Sequence, residues 1–174
     1  MVKLNLGSGN RQERGEGWIN VDLPDNWCKS QPQLIHDIRE RLPFDDESVD
    51  VVQAIHVVEH MYRYEIDAIL MDWCRVLKPG GLMVLELPCL DKIISIFNVA
   101  IEKGLELPEN LTLWGLYGDP KYANPAMVHR WCYSKHELQT MMELNGLVVD
   151  ASKLPQTHQP VRDMRLEGRK ASMA

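Results

Sequence analysis

The alternation of strand-like and helix-like segments constrains the fold of this chain more than any other feature of its sequence. Seven short runs have the apolar, partly β-branched character of strands, and they cover residues 2–6, 18–23, 33–38, 48–55, 82–87, 147–154 and 161–170. Helices are predicted over 64–77 and 91–103, and a capping box at 134–137 opens another. Strands that alternate with helices form a mostly parallel sheet with helices on both faces.

Two details refine this prediction. Between Gly9 and Trp18 there is room for about two helical turns at most, so the first helix is short or missing. The last two strands are expected to lie antiparallel at the edge of the sheet. The fold class is therefore α/β, a Rossmann-like, doubly wound, mostly parallel seven-stranded sheet with a shortened first helix and an antiparallel edge strand at the C-terminus.

Length, composition and charge narrow the class of protein. A chain of 174 residues fits a single domain, and 45% hydrophobic and 25% charged residues are ordinary for a globular protein. The net charge of −6 argues against a sequence-independent nucleic-acid binder, which needs a basic face. No run of 18 apolar residues is present, and the N-terminus lacks a secretory apolar region. We therefore expect a cytoplasmic protein with a small-molecule substrate and no nucleic-acid or membrane partner.

The cysteines carry information about the redox environment. Cys28, Cys74, Cys89 and Cys132 form no C-x-x-C pair, which argues against a cysteine zinc site. Cys74 falls on the apolar face of a predicted helix, and Cys89 follows a predicted buried strand. We expect a reducing compartment and no disulfides.

Glycines and carboxylates end the first three predicted strands. The first strand ends in Gly7-Ser8-Gly9, the second in Asp22 and the third in Asp37. Ligands of such sheets bind at the carboxyl ends of the strands, where glycine admits close backbone approach and a carboxylate suits a ribose diol. The pattern predicts a pocket for an adenosine without phosphates. Each feature alone also fits a simple tight turn or a solvated aspartate.

Longer motifs carry a resemblance to a known family. The segments LNLGSGN…GWINVDL, HDI…LPFDDESVDVV, RVLKPGGLMVLELP and HRWCY…EL…NGL together span roughly residues 2–149. In these segments the chain resembles the class I S-adenosylmethionine-dependent methyltransferases, most closely the small subfamily that opens with the first motif. The resemblance implies a methyltransferase that uses S-adenosyl-L-methionine.

The resemblance also implies where the cofactor binds. Gly7 and Gly9 would lie near its methionine part, Asp22 on the ribose, and Asp37 on the adenine amine. The full set of cofactor-binding residues is predicted to be Leu6, Gly7, Ser8, Gly9, Asn10, Asp22, Leu23, Asp37, Ile38, Ala54 and His56. Because the first helix is short, Asn10 or Arg11 is the candidate for holding the cofactor carboxylate.

The segment His56-Val57-Val58-Glu59-His60 matches the H-x-x-E-H pattern of a class of zinc peptidases. On a helix, His56 and His60 would share a face, and Glu59 would be the general base. A third ligand is not evident from the sequence, and the methyltransferase resemblance places a turn and a short helix here. We therefore predict no metal, and keep a zinc-dependent hydrolase as an alternative.

Residues 104–130, rich in proline, glycine and aromatic residues, form the least regular stretch of the chain. We interpret it as a lid or substrate-binding insertion within one domain covering 1–174. His129, at its end, is the candidate base, with His56 as a second catalytic candidate, and Trp131 is expected in the core. The predicted reaction transfers a methyl group by in-line displacement to a small-molecule or sugar-containing acceptor. A cofactor-binding module without turnover stays open as a further alternative.

Overall fold

The computed structural model describes residues 1–23 and 31–172. Its strands are β1 (Lys3–Leu6), β2 (Trp18–Asp22), β3 (Leu34–Ile35), β4 (Val49–Ile55), β5 (Leu77–Pro88), β6 (Leu147–Asp150) and β7 (Asp163–Lys170). Its α-helices are α1 (Ile66–Val76), α2 (Leu90–Glu102), α3 (Leu113–Tyr117) and α4 (Lys135–Leu144). Three short 3-10 helices cover Val58–His60, Glu109–Leu111 and Pro125–Met127.

The strands form one seven-stranded sheet in the order β3-β2-β1-β4-β5-β7-β6. The five strands from β1 to β5 pair in parallel, and β7 is antiparallel to both of its neighbours, β5 and β6. The predicted fold class is confirmed, including the antiparallel C-terminal strand. That strand lies between β5 and β6, so β6 occupies the edge of the sheet.

The connection between β1 and β2 contains no helix at residues 7–17, where a shortened one was predicted. Asparagine side chains take over the hydrogen bonding that a helix would provide. The Asn20 side chain accepts from the Glu13 amide at 2.8 Å and donates to the Glu13 carbonyl at 2.9 Å. Asn5 Nδ2 donates to the Arg11 carbonyl at 2.8 Å. Part of the backbone of this loop is therefore hydrogen-bonded without helical structure.

Strand β3 is shorter than predicted. Only Leu34–Ile35 pair with β2, whereas the apolar run suggested 33–38. The chain turns at Asp37, where the carbonyl accepts from the Glu40 amide at 2.9 Å and the carboxylate accepts from the Arg39 amide at 3.0 Å. An aspartate that bonds its own backbone two residues on favours a turn over an extended strand.

The core lies between β4, β5 and the helices α1 and α4. Strand β5 is buried through 83–88, as its continuous apolar run predicts for a central strand covered on both faces. Trp73, on the buried face of α1, is fully enclosed, and its Nε1 donates to the Ile38 carbonyl at 3.1 Å. Cys74 and Cys89 are buried, whereas Cys28 lies outside the described residues.

Candidate active site

A cavity of about 830 Å³ opens at the carboxyl ends of β1, β2 and β4. Its size is within the usual range for small-molecule pockets. The insertion at 104–130 and the loop between β6 and β7, residues 151–162, supply the rest of the wall. The predicted site residues that line it are Gly7, Ser8, Gly9, Asn10, Asp22, Leu23, Asp37, Ile38, His56 and His129. Leu6 and Ala54 are instead buried in the core.

The turn after β1 has two glycines in the left-handed region. A Cβ on Gly7, whose φ is +64°, would lie 2.6 Å from Val57 Cγ2, so this glycine lets the turn pack on the chain after β4. A Cβ on Gly9, whose φ is +48°, would meet nothing within 4 Å. Gly9 therefore leaves open space on the cavity side of the turn, as close approach of a ligand requires.

Asp22 connects this turn to the end of β2. Its Oδ2 accepts a hydrogen bond from the Gly9 amide at 2.6 Å, and its Oδ1 accepts from the Leu23 amide at 2.8 Å. An ionised carboxylate has about four acceptor positions, so Asp22 retains two for a ligand. The aspartate thus both holds the glycine turn and faces the cavity.

Asp37 forms a forked ion pair with Arg39. The arginine NH2 lies 2.6 Å from Oδ2, and its Nε lies 3.0 Å from Oδ1. The Arg39 guanidinium lowers the pKa of Asp37, although partial burial opposes this shift. Because Arg39 is about half exposed, it can release one carboxylate oxygen to a ligand at small cost.

His56 is enclosed by two buried carboxylates. Its Nε2 lies 3.1 Å from Asp163 Oδ2 and its Nδ1 lies 3.0 Å from Glu59 Oε1. Burial alone would lower the pKa of His56, but the contacts with Asp163 and Glu59 raise it to about 9. A protonated ring directed at two carboxylates has no lone pair with which to accept a proton. This geometry does not favour His56 as a base, and its place among the catalytic candidates stays a prediction.

The arrangement of the H-x-x-E-H segment differs from the zinc-peptidase expectation. The backbone turns at His56, where φ is +54°, and only Val58–His60 form a 3-10 helix. The expectation that His56 and His60 share one helix face is therefore wrong. A turn followed by a short helix is what the methyltransferase resemblance implies.

His129 comes from the end of the insertion and lines the same cavity. Its Nδ1 lies 2.9 Å from the Gly115 carbonyl, and burial lowers its pKa. The imidazole is therefore neutral near pH 7, with Nδ1 donating and Nε2 carrying the lone pair.

Trp131 was expected in the core but is 42% exposed, and Tyr133 is the buried aromatic residue of this segment.

The insertion is more ordered than its sequence suggests. It contains α3 and two 3-10 helices. Gly115 packs so closely on α2 that a Cβ would lie 2.6 Å from Ile93 Cδ1. Arg162 NH1 donates to the Asn110 carbonyl at 2.9 Å, which ties the insertion to the loop before β7.

The 151–162 loop is the part of the site that sequence reasoning missed. Glu86, fully buried in β5, accepts from the Gln156 amide at 2.9 Å, the Thr157 amide at 2.8 Å and the Thr157 hydroxyl. Arg165 NH1 also donates to it at 3.1 Å. A single charged residue in the apolar run LMVLEL indicates a buried carboxylate with polar partners. The sequence does not indicate which residues these are, because they lie about 70 or more positions away. Glu86 holds the loop against the cavity.

Fold and cavity together define a class of protein. The G-x-G turn opens onto the cavity without a helix for a pyrophosphate, and carboxylates follow at the next two strands, which fits a nucleoside that carries no phosphate. Residues 14–85 match a family described as a methyltransferase domain. Over these residues the chain is similar to methyltransferases, and its fold is that of the class I S-adenosylmethionine-dependent methyltransferases.

Solved structures share the fold at low sequence identity. An S-adenosylmethionine-dependent methyltransferase from Archaeoglobus fulgidus aligns with a TM-score of 0.62 and 17% identity over 97% of this chain and 85% of that chain. A second, from Methanosarcina mazei, gives 0.62 and 13% over 97% and 92%. A third belongs to a complex of the Haloferax volcanii Trm112 methyltransferase activator with a methyltransferase, and gives 0.61 and 15% over 99% and 83%. No curated protein matches the sequence significantly.

Within residues 1–23 and 31–172, no helix is both long and apolar enough to cross a bilayer.

Proposed function

We propose that this methyltransferase transfers a methyl group to a small-molecule or sugar-containing acceptor by in-line displacement. The observation that carries the proposal is the partly open cavity, in which the ends of the first strands face an insertion from the second half of the chain. A small acceptor fits a space of about 830 Å³ shared with the cofactor better than a folded macromolecule does. The net charge of −6 further disfavours a nucleic-acid substrate.

The cofactor, when bound, supplies a methyl group activated by a sulfonium. In this proposal Asp22 accepts hydrogen bonds from the ribose hydroxyls through its remaining lone pairs. Asp37 accepts from the adenine amine after Arg39 gives up one oxygen, and Ile38 packs on the ring. Asn10 or Arg11, both at the cavity wall, holds the cofactor carboxylate.

The insertion provides the acceptor side of the proposed site. Trp114, Tyr122 and Met127 line the cavity there and can exclude water from the reacting atoms. Correct placement of two reactants supplies roughly 7–11 kcal/mol of the barrier reduction in favourable systems. His129 has a neutral ring at the cavity wall, and we assign it as the base that takes the proton of the acceptor.

Calorimetric titration tests the cofactor assignments. We expect S-adenosylhomocysteine to bind with one-to-one stoichiometry and NAD not to bind. The Asp22→Asn variant should bind at least about tenfold more weakly, because hydrogen bonds to charged groups contribute about 1.5–3 kcal/mol. Asp45→Asn, in an exposed turn, is the matched control and should bind normally. Absence of S-adenosylhomocysteine binding at millimolar concentration would contradict the proposal.

A product-release assay tests the acceptor class. The protein is incubated with S-adenosylmethionine and separate panels of hydroxylated metabolites, nucleotide sugars, peptides and duplex DNA. We expect S-adenosylhomocysteine to be released only with the small-molecule or sugar panels. Release with peptides or DNA alone would refute the acceptor assignment, and binding without release in any panel would indicate a module that has no turnover.

A further inference from the structure

We infer that Glu59, His60 and His129 form a binding site for a divalent transition-metal cation in the wall of the cavity. One ligand atom from each residue lies within 4.8 Å of the others. Glu59 and His60 belong to the 3-10 helix after β4, and His129 arrives from the end of the insertion. This set differs from that of the zinc-peptidase alternative, because His56 is not part of it and His129 comes from a segment distant along the chain.

The Glu59 carboxylate has less hydrogen bonding than its burial demands. The residue is 1% exposed, and neither carboxylate oxygen has a hydrogen-bond partner among the described residues. His56 Nδ1 lies 3.0 Å from Oε1, an ion-pair distance without hydrogen-bond alignment. Buried carboxylates are normally hydrogen-bonded, paired or bound to metal, because desolvation of an unsatisfied charge is costly. A cation at this position would satisfy Oε2 and share Oε1 with His56.

Both imidazoles are oriented as metal ligands usually are. His60 Nδ1 lies 3.2 Å from the Val128 carbonyl, and His129 Nδ1 lies 2.9 Å from the Gly115 carbonyl. A carbonyl only accepts, so Nδ1 is the donor in both hydrogen bonds, and Nε2 is the ring atom left for a metal. Metal-binding histidines characteristically donate their other ring nitrogen to a carbonyl or carboxylate in this manner.

The donor set indicates which metals would bind. Two imidazoles and one carboxylate suit Zn²⁺, Fe²⁺ or Co²⁺, whereas Mg²⁺ prefers oxygen ligands. With bonds of about 2.0–2.2 Å, binding would draw the three side chains slightly closer together. Three protein ligands leave coordination positions open, and His60 and His129 line the cavity. If the proposed function holds, an acceptor hydroxyl bound to the cation would release its proton to solvent more readily, and His129 would then hold the cation and not take the proton itself.

Titration of chelator-treated protein with ZnCl₂ alone tests the site, with Co²⁺ absorption in the visible range as a second readout. We expect one equivalent of Zn²⁺ to bind and MgCl₂ to bind much more weakly. His129→Ala and Glu59→Gln should each weaken Zn²⁺ binding at least about tenfold. A loss of about that size already follows when a residue that only hydrogen-bonds to a metal ligand is replaced. His136→Ala, on the exposed start of α4, is the control and should bind normally.

S-adenosylhomocysteine titration of each variant separates loss of metal from loss of fold. Retained cofactor binding with lost Zn²⁺ binding in His129→Ala supports the site. If that variant does not fold, Glu59→Gln, which preserves the side-chain volume, decides in its place. Equal Zn²⁺ affinity in wild type and both ligand variants, or no stoichiometric binding, would overturn the inference. Wild-type protein that binds Zn²⁺ but no S-adenosylhomocysteine would contradict the proposed function and leave the metal site standing.

Discussion

At the scale of single residues, Gly7 and Gly9 sit two positions apart in the same turn and differ in what surrounds them. Both adopt the left-handed conformation, which costs an L side chain about 1–2 kcal/mol. At Gly7 a methyl group would additionally collide with Val57, while at Gly9, which lines the cavity, it would meet nothing within 4 Å. One glycine therefore serves packing and the other leaves room for a ligand.

Replacement of each glycine by alanine should separate these roles. We expect Gly7→Ala to reduce the free energy of unfolding by more than Gly9→Ala does, because only the former adds a steric clash to the backbone strain. Gly9→Ala should instead weaken S-adenosylhomocysteine binding at least about tenfold, an effect of about 1.4 kcal/mol. Denaturant unfolding and calorimetric titration of both variants measure the two effects. Normal cofactor binding by Gly9→Ala would show that the cofactor does not approach this turn.

At the scale of elements, one carboxylate in β5 holds the 151–162 loop. Burial alone would raise the pKa of Glu86, but hydrogen bonds from Thr157, Gln156 and Arg165 keep it below its ordinary value of 4.5. The stabilisation that Glu86 provides is therefore fully present above that ordinary value. It is lost as the pH falls through the lowered pKa of the folded state, where the carboxylate becomes protonated.

The Glu86→Gln variant should reveal this anchor. Loss of a buried paired charge typically costs about 3–5 kcal/mol, whereas Glu167→Gln, which removes the partly exposed second partner of Arg165, should cost less than about 1 kcal/mol. Unfolding free energies measured from pH 7 to pH 3 should fall less steeply in Glu86→Gln than in wild type. Parallel pH profiles would assign the acid sensitivity to other carboxylates.

Element prediction from the sequence succeeds where the determining interactions are local. The apolar run of β5 and the capping box before α4 depend on neighbouring residues, and Ser134 Oγ does accept from the Glu137 amide at 3.1 Å. The position of β7 between β5 and β6 depends instead on pairing between distant segments, which periodicity does not encode. The approach of His129 to Glu59 is unpredictable for the same reason. In addition, the loop after β1 is held without a helix by asparagine side chains of the two flanking strands, Asn5 in β1 and Asn20 in β2.

At the scale of the whole molecule, the cavity joins the two ends of the chain. The turn after β1 forms one wall and the 151–162 loop forms another, and Arg11 NH2 reaches His158 Nδ1 at 3.4 Å across them. The insertion completes the enclosure from the middle of the sequence. A ligand in this cavity contacts segments that come together only when the entire sheet is formed.

Ligand binding should therefore stabilise the whole fold and not one part of it. A ligand that binds only the folded state adds about 2.7 kcal/mol to the free energy of unfolding at a concentration of 100 Kd. We expect S-adenosylhomocysteine to shift a single cooperative denaturant transition by this amount, with an unchanged slope, while the same concentration of NAD leaves it in place. Circular dichroism reports the sheet and helices, and tryptophan fluorescence reports the surroundings of the five tryptophans, which include the buried Trp73 and the cavity-lining Trp114. If S-adenosylhomocysteine moved the midpoint of one of these two transitions and not the other, the ligand would be stabilising only a part of the fold. That result would contradict a binding site that needs segments from both ends of the chain.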